Sequence, residues 1–193
     1  MTDKVTSVVL VGVGGQGILL ASEIVACAAM KAGFDVKTNE VHGMAQRGGS
    51  VVAQIRYGRS VNSPLVPEGT AAVLGALEQI EAIRFAHYVS PDGAAVVSSQ
   101  AIVPVTVSSG QATYPQDVKQ RLTSVFKRLV YLDADKLAAE AGSNRAANVV
   151  LLGAMSLTLN LPAEAWHEAI KASVPSKHFE TNMRAFELGK KAL

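Results

Sequence analysis

The chain has 193 residues, of which 49% are hydrophobic, enough for one domain with a full core. Its 18 lysines and arginines nearly balance 16 aspartates and glutamates, so the net charge of +2 gives no electrostatic reason to expect binding to nucleic acid or to a membrane surface. The single cysteine, Cys27, cannot pair within the chain or supply the several thiolates that an iron–sulfur cluster takes.

The N-terminal segment MTDKVTS is polar rather than signal-like, and no apolar run is long enough to cross a membrane. We therefore expect one cytoplasmic domain over residues 1–193. Cys27 falls among alanines of the first predicted helix, which indicates a buried thiol rather than a nucleophile.

The first predicted strand and helix meet at a glycine-rich turn. The β-branched run at residues 8–11 predicts a strand covered on both faces, and the alanine-rich segment 18–31 predicts a helix packed against the sheet. Because glycines leave no side chains in the way, a ligand or another chain can approach the backbone N–H groups at the positive end of the helix. The residues of this turn that we assign to such a surface are Gly12, Gly14, Gly15, Gln16 and Gly17.

The glycine spacing of this turn satisfies the fingerprint of dinucleotide-binding folds, and Glu40 lies at about the distance expected for the acidic residue that binds the ribose. The residues after Glu40 argue against that function, because they form a glycine-rich loop that leads straight into another strand instead of a crossover helix. Nicotinamide or flavin binding and a turn that merely packs both remain as alternatives.

That loop joins a second predicted strand at residues 35–41 to a third at 51–57 and carries one formal charge, Arg47. An arginine among glycines presents a planar fork suited to a carboxylate or phosphate, and a salt bridge within the domain is an equal alternative. His42 is a candidate proton carrier or a hydrogen-bonding bystander. The loop residues that we assign to the same surface are His42, Gln46, Arg47, Gly48, Gly49 and Ser50.

The middle of the chain predicts short alternating elements. A strand at 71–74 precedes a helix at 77–87, whose polar face holds Glu78, Gln79, Glu81 and Arg84. A turn at 91–93 precedes a strand at 94–98, and Pro104 demotes 102–105 to an edge or irregular strand. A helix at 115–127 and a last strand at 129–133 follow.

Beyond Asp133, which can cap the next helix, the sequence predicts helices at 134–141, 144–159, 162–173 and 177–191. The expected fold class is α/β: a three-layer α/β/α arrangement with a mixed sheet, a Rossmann-like first βαβ unit and a helical C-terminal third.

Six segments, taken together and in order, resemble the gamma-type domain of 2-oxoacid:ferredoxin oxidoreductases. The HGMAQRGGS loop and the LEQIEAIR helix are most similar to those of the indolepyruvate ferredoxin oxidoreductase beta subunit. The segments are GVGGQG at 12–17, VHGMAQRGGSV at 41–51, SPLVPEG at 63–69, LEQIEAIR at 77–84, NVVLLGA at 148–154 and NMRAFELG at 182–189.

The resemblance implies an enzyme that cleaves a 2-oxoacid, indolepyruvate or another aryl pyruvate, on thiamine diphosphate, reduces ferredoxin through iron–sulfur clusters and transfers the acyl group to coenzyme A. It implies no catalytic residue on this chain alone. A large partner subunit would carry the thiamine diphosphate, Mg and clusters, and this chain would complete its active site or coenzyme A site, or form a homodimer when isolated. A free-standing nucleotide-binding oxidoreductase and a non-catalytic assembly protein are the alternatives.

Overall fold

The structure is a computed structural model that describes residues 5–43 and 48–192. Its strands are β1 (Thr6–Val13), β2 (Asp35–His42), β3 (Ser50–Gly58), β4 (Ala71–Ala76), β5 (Val89–Ser98) and β6 (Leu129–Leu132). Its helices are α1 (Ile18–Lys31), α2 (Gln79–Arg84), α3 (Val105–Ser108), α4 (Val118–Val125), α5 (Ala134–Ala141), α6 (Ala147–Ser156), α7 (Ala163–Ser173) and α8 (Phe179–Lys191).

The strands form one mixed sheet in the order β2-β3-β1-β4-β5-β6. β1, β4, β5 and β6 are parallel to one another, whereas β3 runs antiparallel to both β1 and β2. The carboxyl ends of all strands except β3 therefore lie at one edge of the sheet, and β3 begins there. This carboxyl edge brings together the turn after β1, the end of β2 and the start of α2.

The sheet is covered by helices on both faces, which confirms the three-layer α/β/α class, the mixed sheet and the helical C-terminal third. Alternate residues of β1 point to opposite faces, so Val8 and Leu10 belong to one core and Val9 and Val11 to the other. The first core is closed by α1, α5, α6, α7 and α8, and the second by α2 and α4. None of the helices among the described residues is long and apolar enough to cross a bilayer.

The first βαβ unit is Rossmann-like in its strand, glycine turn and helix, but it is split. β1 and β2 are parallel, yet β3 lies between them and pairs with both. The chain after β2 returns at once as an antiparallel strand and fills the position that the second strand of a Rossmann unit would occupy.

Helices α6 and α8 cross in backbone contact at two glycines. A Cβ at Gly153 would overlap the carbonyl group of Phe186, and a Cβ at Gly189 would overlap that of Val150. Glycine is therefore required on both sides of this crossing, because any side chain would force the helices apart.

Several local predictions need correction. The predicted turn at 91–93 lies inside β5, where the pairing with β4 shifts register. The predicted strand at 102–105 is not formed, because the Pro104 carbonyl accepts the N–H groups of Val107 and Ser108 and α3 begins instead. Cys27 is half-buried rather than fully buried.

Candidate functional site

The turn after β1 has a backbone that only glycine adopts readily at two positions. Gly15 and Gly17 have φ values of 105° and 80°, in the left-handed region. Gly17 is the N-cap of α1, and no side chain among the described residues caps the helix, so none of them satisfies the first backbone N–H groups of α1. We refer to Gly12–Gly17 as the glycine turn.

The Gln16 side chain is used inside the fold. Its Oε1 accepts a hydrogen bond from the Val13 N–H at 2.7 Å, and its Nε2 donates to the Leu77 carbonyl at 2.8 Å and to Gln100 Oε1. Gly12 makes room for this side chain, since a Cβ there would lie 2.8 Å from Gln16 Oε1.

These hydrogen bonds link the end of β1 to the end of β4 across the crevice between the two strands, and an open cavity remains beside Gln16. The helices that follow these two strands pack on opposite faces of the sheet, which makes the crevice the point where open α/β sheets bind their ligands. Gln16 occupies that space, so a dinucleotide bound in the usual Rossmann position would have to displace it. This geometry disfavours the nucleotide-binding alternative.

An apolar cavity of about 540 Å³ opens on one side of the glycine turn, toward β2 and β3. Leu19 contributes a half-exposed side chain at the start of α1, and the exposed His42 ring approaches the carbonyl of Gly43 at 3.3 Å. The lining residues are Val13, Gly14, Gly15, Gly17, Ile18, Leu19, Leu20, His42 and Val51.

A polar cavity of about 390 Å³ opens on the other side of the glycine turn. The N-termini of α1 and α6 both reach it, and the exposed Arg145 lies in the 3-10 turn directly before α6. Its guanidinium forms no ion pair among the described residues. Two helix N-termini and a guanidinium favour an anion. The carboxyl group of Asp135 at the same cavity disfavours an anion. Burial, and secondarily the charge of Asp133, raise the pKa of this carboxyl group.

Asn148 joins the two helix N-termini at the polar cavity. It is 2% exposed, and its Nδ2 donates to the Gly17 carbonyl at 3.1 Å. A Cβ at Gly17 would lie 2.7 Å from the same nitrogen, so the contact requires glycine.

The start of α2 holds a buried cluster of residues that the sequence predicts to lie on the polar face of a helix. Glu78, Gln79 and Glu81 are each less than 9% exposed. Glu78 caps α2 by accepting the N–H groups of Ile80 at 2.7 Å and Glu81 at 2.9 Å. Their position in the sequence could have indicated burial, because they follow a buried strand at the carboxyl edge, where polar groups of neighbouring segments meet.

Two tyrosines complete this cluster from the following segments. Tyr114 donates from its hydroxyl to Glu78 Oε1 at 3.1 Å, and Tyr131 donates to Gln79 Oε1 at 2.7 Å. Burial raises the pKa of Tyr114 to about 12 and also raises the pKa of Tyr131, so both hydroxyls remain protonated donors near neutral pH.

Ser50 and the two glycines before it are held from two sides. The Gly14 N–H donates to the Gly49 carbonyl at 2.8 Å, and the Gly48 N–H donates to the Gly14 carbonyl at 3.4 Å. Ser50 Oγ donates to Glu81 Oε2, and Glu81 Oε1 pairs with Arg84 at 3.2 Å.

The residues predicted to form one surface do meet at the carboxyl edge, but they play different parts. Gly14, Gly15, Gly17 and His42 line the apolar cavity, and Gly15, Gln16 and Gly17 line the polar cavity. Gly12 and the hydrogen bonds of Gln16 serve the internal packing of the turn. Gly48 and Gly49 bind the glycine turn, and Ser50 binds α2. Gln46 and Arg47 lie outside the described residues.

The described residues do not fit a resident metal or cluster. They include no group of three or more histidine, cysteine, aspartate or glutamate side chains placed to hold a metal ion. The whole sequence has one cysteine, which is too few for an iron–sulfur cluster. The chemistry that this edge offers is backbone N–H donors, an arginine and an apolar wall.

Comparison with known proteins identifies relatives of the whole chain. The sequence profile of the family described as pyruvate ferredoxin/flavodoxin oxidoreductase matches residues 7–192. A protein of Pyrococcus horikoshii named indolepyruvate oxidoreductase subunit IorB is 45% identical over 194 residues, covering 98% of this chain and 96% of that protein.

Two solved structures share the fold. The gamma subunit of a keto/oxoacid ferredoxin oxidoreductase from Geobacter sulfurreducens superposes with a TM-score of 0.72 at 23% identity and covers 97% of each chain. A 2-oxoglutarate:ferredoxin oxidoreductase from Magnetococcus marinus, with 2-oxoglutarate, coenzyme A and succinyl-CoA bound, gives a TM-score of 0.74 at 21% identity. The match covers 99% of this chain and 31% of that one.

Proposed function

This chain belongs to the pyruvate ferredoxin/flavodoxin oxidoreductase family, and we propose that it is the small subunit of an enzyme that oxidises indolepyruvate or another aryl pyruvate with ferredoxin as acceptor. The similarity to indolepyruvate oxidoreductase subunits along almost the whole chain supports this substrate class. As a subunit of a 2-oxoacid oxidoreductase, the chain is one component of an enzyme and does not act alone.

In this proposal the chain completes the active site or the coenzyme A site of a large partner subunit. The observation that carries the proposal is the glycine turn at the carboxyl edge, which presents the uncapped N-terminus of α1 between an apolar and a polar cavity. Both cavities are open, so a second chain is needed to enclose a substrate there and exclude water.

The partner would carry the thiamine diphosphate, Mg²⁺ and iron–sulfur clusters, because the sequence has one cysteine and the described residues hold no group of side chains placed to bind a metal ion. Thiamine diphosphate, when bound to the partner, supplies the stabilised carbanion that decarboxylation of a 2-oxoacid requires. The residues of this chain would bind and orient the reactants. A cytoplasmic location, contact with ferredoxin through the complex and self-association of the isolated chain belong to the same proposal.

The polar cavity is the part of the surface suited to the phosphates of coenzyme A. Arg145 and the N-termini of α1 and α6 supply positive charge on one side of it, and Asn148 keeps the two helix ends together. Arg47, at the tip of the glycine-rich loop in the sequence, is the second candidate for holding an anionic group.

Reconstitution of the enzyme tests this proposal. The chain and the large cysteine-rich subunit are purified separately and mixed, and indolepyruvate-dependent reduction of ferredoxin is followed with and without coenzyme A. We expect neither subunit to be active alone and the mixture to be active. Arg145→Ala should raise KM for coenzyme A about tenfold or more while the complex still forms, since a charged hydrogen bond is lost.

The matched control is Arg128→Ala, whose guanidinium donates to the Asp92 carbonyl on an exposed surface away from the glycine turn. This variant should keep the wild-type KM. Full activity of the large subunit without this chain would contradict the proposed role, and it would favour a non-catalytic assembly protein if this chain then improved only the yield of the complex.

A further inference from the structure

Glu81 is a buried carboxylate in the first turn of α2 that the proposed function does not use. Only 6% of its side chain is exposed, although glutamate is rarely buried unless it is paired. One oxygen pairs with the exposed Arg84 at 3.2 Å, and the other accepts the hydroxyl of Ser50. The two partners lie on different elements, so Glu81 does more than satisfy its own helix.

Ser50 is the first residue of β3, where the chain re-enters the sheet after the glycine-rich loop. The two residues before it already bind the glycine turn through the hydrogen bonds between Gly14 and Gly48 and between Gly14 and Gly49. The end of the loop therefore touches the glycine turn on one side and α2 on the other, and the contact to α2 is the one made by a side chain.

Glu81 is a rigid acceptor for this contact. Its backbone N–H donates to Glu78 Oε2 at 2.9 Å, and Glu78 is itself 2% exposed and also accepts the hydroxyl of Tyr114. A hydrogen bond to an ionised acceptor is stronger and shorter than one between neutral groups, so the position of Ser50 follows that of α2.

We propose that Glu81 is a positioning residue for the loop between β2 and β3. By holding Ser50, it fixes the point at which the loop returns to the sheet, and with it the placement of Gly48 and Gly49 against the glycine turn. Glu81 makes no contact with the reactants in this scheme. The inference rests on the proposed function, since Gly48 and Gly49 bind Gly14 of the glycine turn, and that turn lines both cavities.

A double-mutant cycle on the reconstituted enzyme tests the inference. Ser50→Ala, Glu81→Ala and the double variant are compared for kcat/KM with coenzyme A and with indolepyruvate. Each single change should lower kcat/KM for coenzyme A by about tenfold, and the double variant should be no worse than either single one, because both remove the same hydrogen bond. Glu81→Gln keeps an oxygen acceptor for Ser50 and should restore most of the loss.

Glu187→Gln is the control, because Glu187 is an exposed acid on α8 that pairs with Lys190. It should leave kcat/KM unchanged. If the two single effects multiply in the double variant, Ser50 and Glu81 act independently and the positioning role is wrong. If every variant keeps wild-type kcat/KM and only the melting temperature of the isolated chain falls, the hydrogen bond is purely structural and the proposal is overturned.

A separate experiment without any substitution tests the proposed function. If the large subunit is fully active in the absence of this chain, the proposed function is wrong. The double-mutant cycle is measured only in a complex whose activity depends on this chain. Failure of the positioning role and failure of the proposed function are therefore distinguishable.

Discussion

Asn148 donates a hydrogen bond to the carbonyl oxygen of Gly17 across 3.1 Å and thereby ties the N-terminus of α6 to that of α1. The amide fills the space that a Cβ at residue 17 would need, so the two residues are matched in size as well as in hydrogen bonding. The glycine turn is thus fixed from the helical layer that the C-terminal third of the chain supplies.

Gly17→Ala should reduce the free energy of unfolding by roughly 1–3 kcal/mol through left-handed strain, with a further loss from the contact with Asn148. Urea denaturation of the isolated chain measures this loss. Gly15→Ala is the control, because Gly15 also has a positive φ but its Cβ would meet no atom of the described residues within 4 Å. Adding Asn148→Ala to Gly17→Ala should remove only the contact part. If Gly17→Ala and Gly15→Ala lower the free energy of unfolding equally, the fit between Gly17 and Asn148 does not contribute to stability.

Gly189→Ala should destabilise the chain by about 3 kcal/mol or more, at the upper end for overpacked cores, because the new Cβ would overlap the backbone of Val150. Thermal melting and soluble yield measure the effect. Gly43→Ala, where a Cβ would meet no atom of the described residues within 4 Å, should change stability little. A Gly189→Ala variant as stable as Gly43→Ala would show that the two helices can separate freely.

Gln16→Glu should lower the free energy of unfolding by about 2–4 kcal/mol near neutral pH, because two donated hydrogen bonds are lost and a carboxylate oxygen then faces the Leu77 carbonyl and Gln100 Oε1. Gln116→Glu is the matched control, since Gln116 is exposed and its amide donates only to the Tyr114 carbonyl at 3.3 Å.

The position of Gln16 in the crevice also predicts that the chain does not bind a dinucleotide. Calorimetric titration of the unaltered chain with NAD⁺ should show no binding. Tight NAD⁺ binding would mean that Gln16 leaves the crevice.

Asp135→Asn should raise stability near neutral pH and make no difference in acid. The pKa of Asp135 is raised in the folded chain, by burial first and by Asp133 second, so the folded state holds the proton more tightly than the unfolded state. The protonated form therefore favours folding below the ordinary value of 3.8, and this advantage is lost as the pH rises through the folded pKa. Unfolding midpoints measured across the acid range test the sign.

Asp117→Asn provides the opposite sign. A hydrogen bond from Arg121 lowers the pKa of Asp117, so its contribution to stability is present above the ordinary pKa and is lost in acid.

Asp135→Asn also bears on the proposed coenzyme A site. In the reconstituted enzyme this variant should lower KM for coenzyme A, because it removes a negative charge from the polar cavity. An unchanged KM together with an altered unfolding midpoint would leave Asp135 with a role in stability alone.

If Arg47 holds an anionic group in the assembled enzyme, as proposed, Arg47→Ala should reduce turnover or assembly by about tenfold or more, because a desolvated charged pair would lose one member. The isolated chain should keep its melting temperature. Arg47→Lys should rescue only part of the loss, since a point charge does not reproduce a bidentate fork. Wild-type activity of Arg47→Ala would remove the role. A large fall in melting temperature would favour a salt bridge inside the domain.

The sequence predicted the elements whose signals are local. Helix α5 begins and ends where expected, because the Asp133 side chain caps it at the Lys136 N–H and Gly142 adopts a left-handed conformation at its end. The strand and helix around the glycine turn were predicted for the same reason: a buried β-branched run, glycines and an alanine-rich helix each carry their signal within a few residues.

The elements that were predicted wrongly depend on partners far away in sequence. Gln79 and Glu81 look like solvent-facing residues of a short helix until Tyr131 and Ser50 are placed beside them by the sheet. Likewise, the segment at 91–93 has turn chemistry, but pairing with β4 extends it as a strand. The split βαβ unit was not predicted, because strand order at the second position is decided by long-range pairing.

The insertion of β3 between β1 and β2 has an evolutionary consequence. His42 pairs directly with Val51, so the loop between them leaves and re-enters the sheet at neighbouring positions, as in a hairpin. Residues can be added to or removed from such a loop without pulling on the strands, at a small entropic cost that grows slowly with length. A crossover helix at this position would have tied loop length to sheet geometry, whereas the hairpin lets the loop beside the glycine turn change in length on an unchanged scaffold.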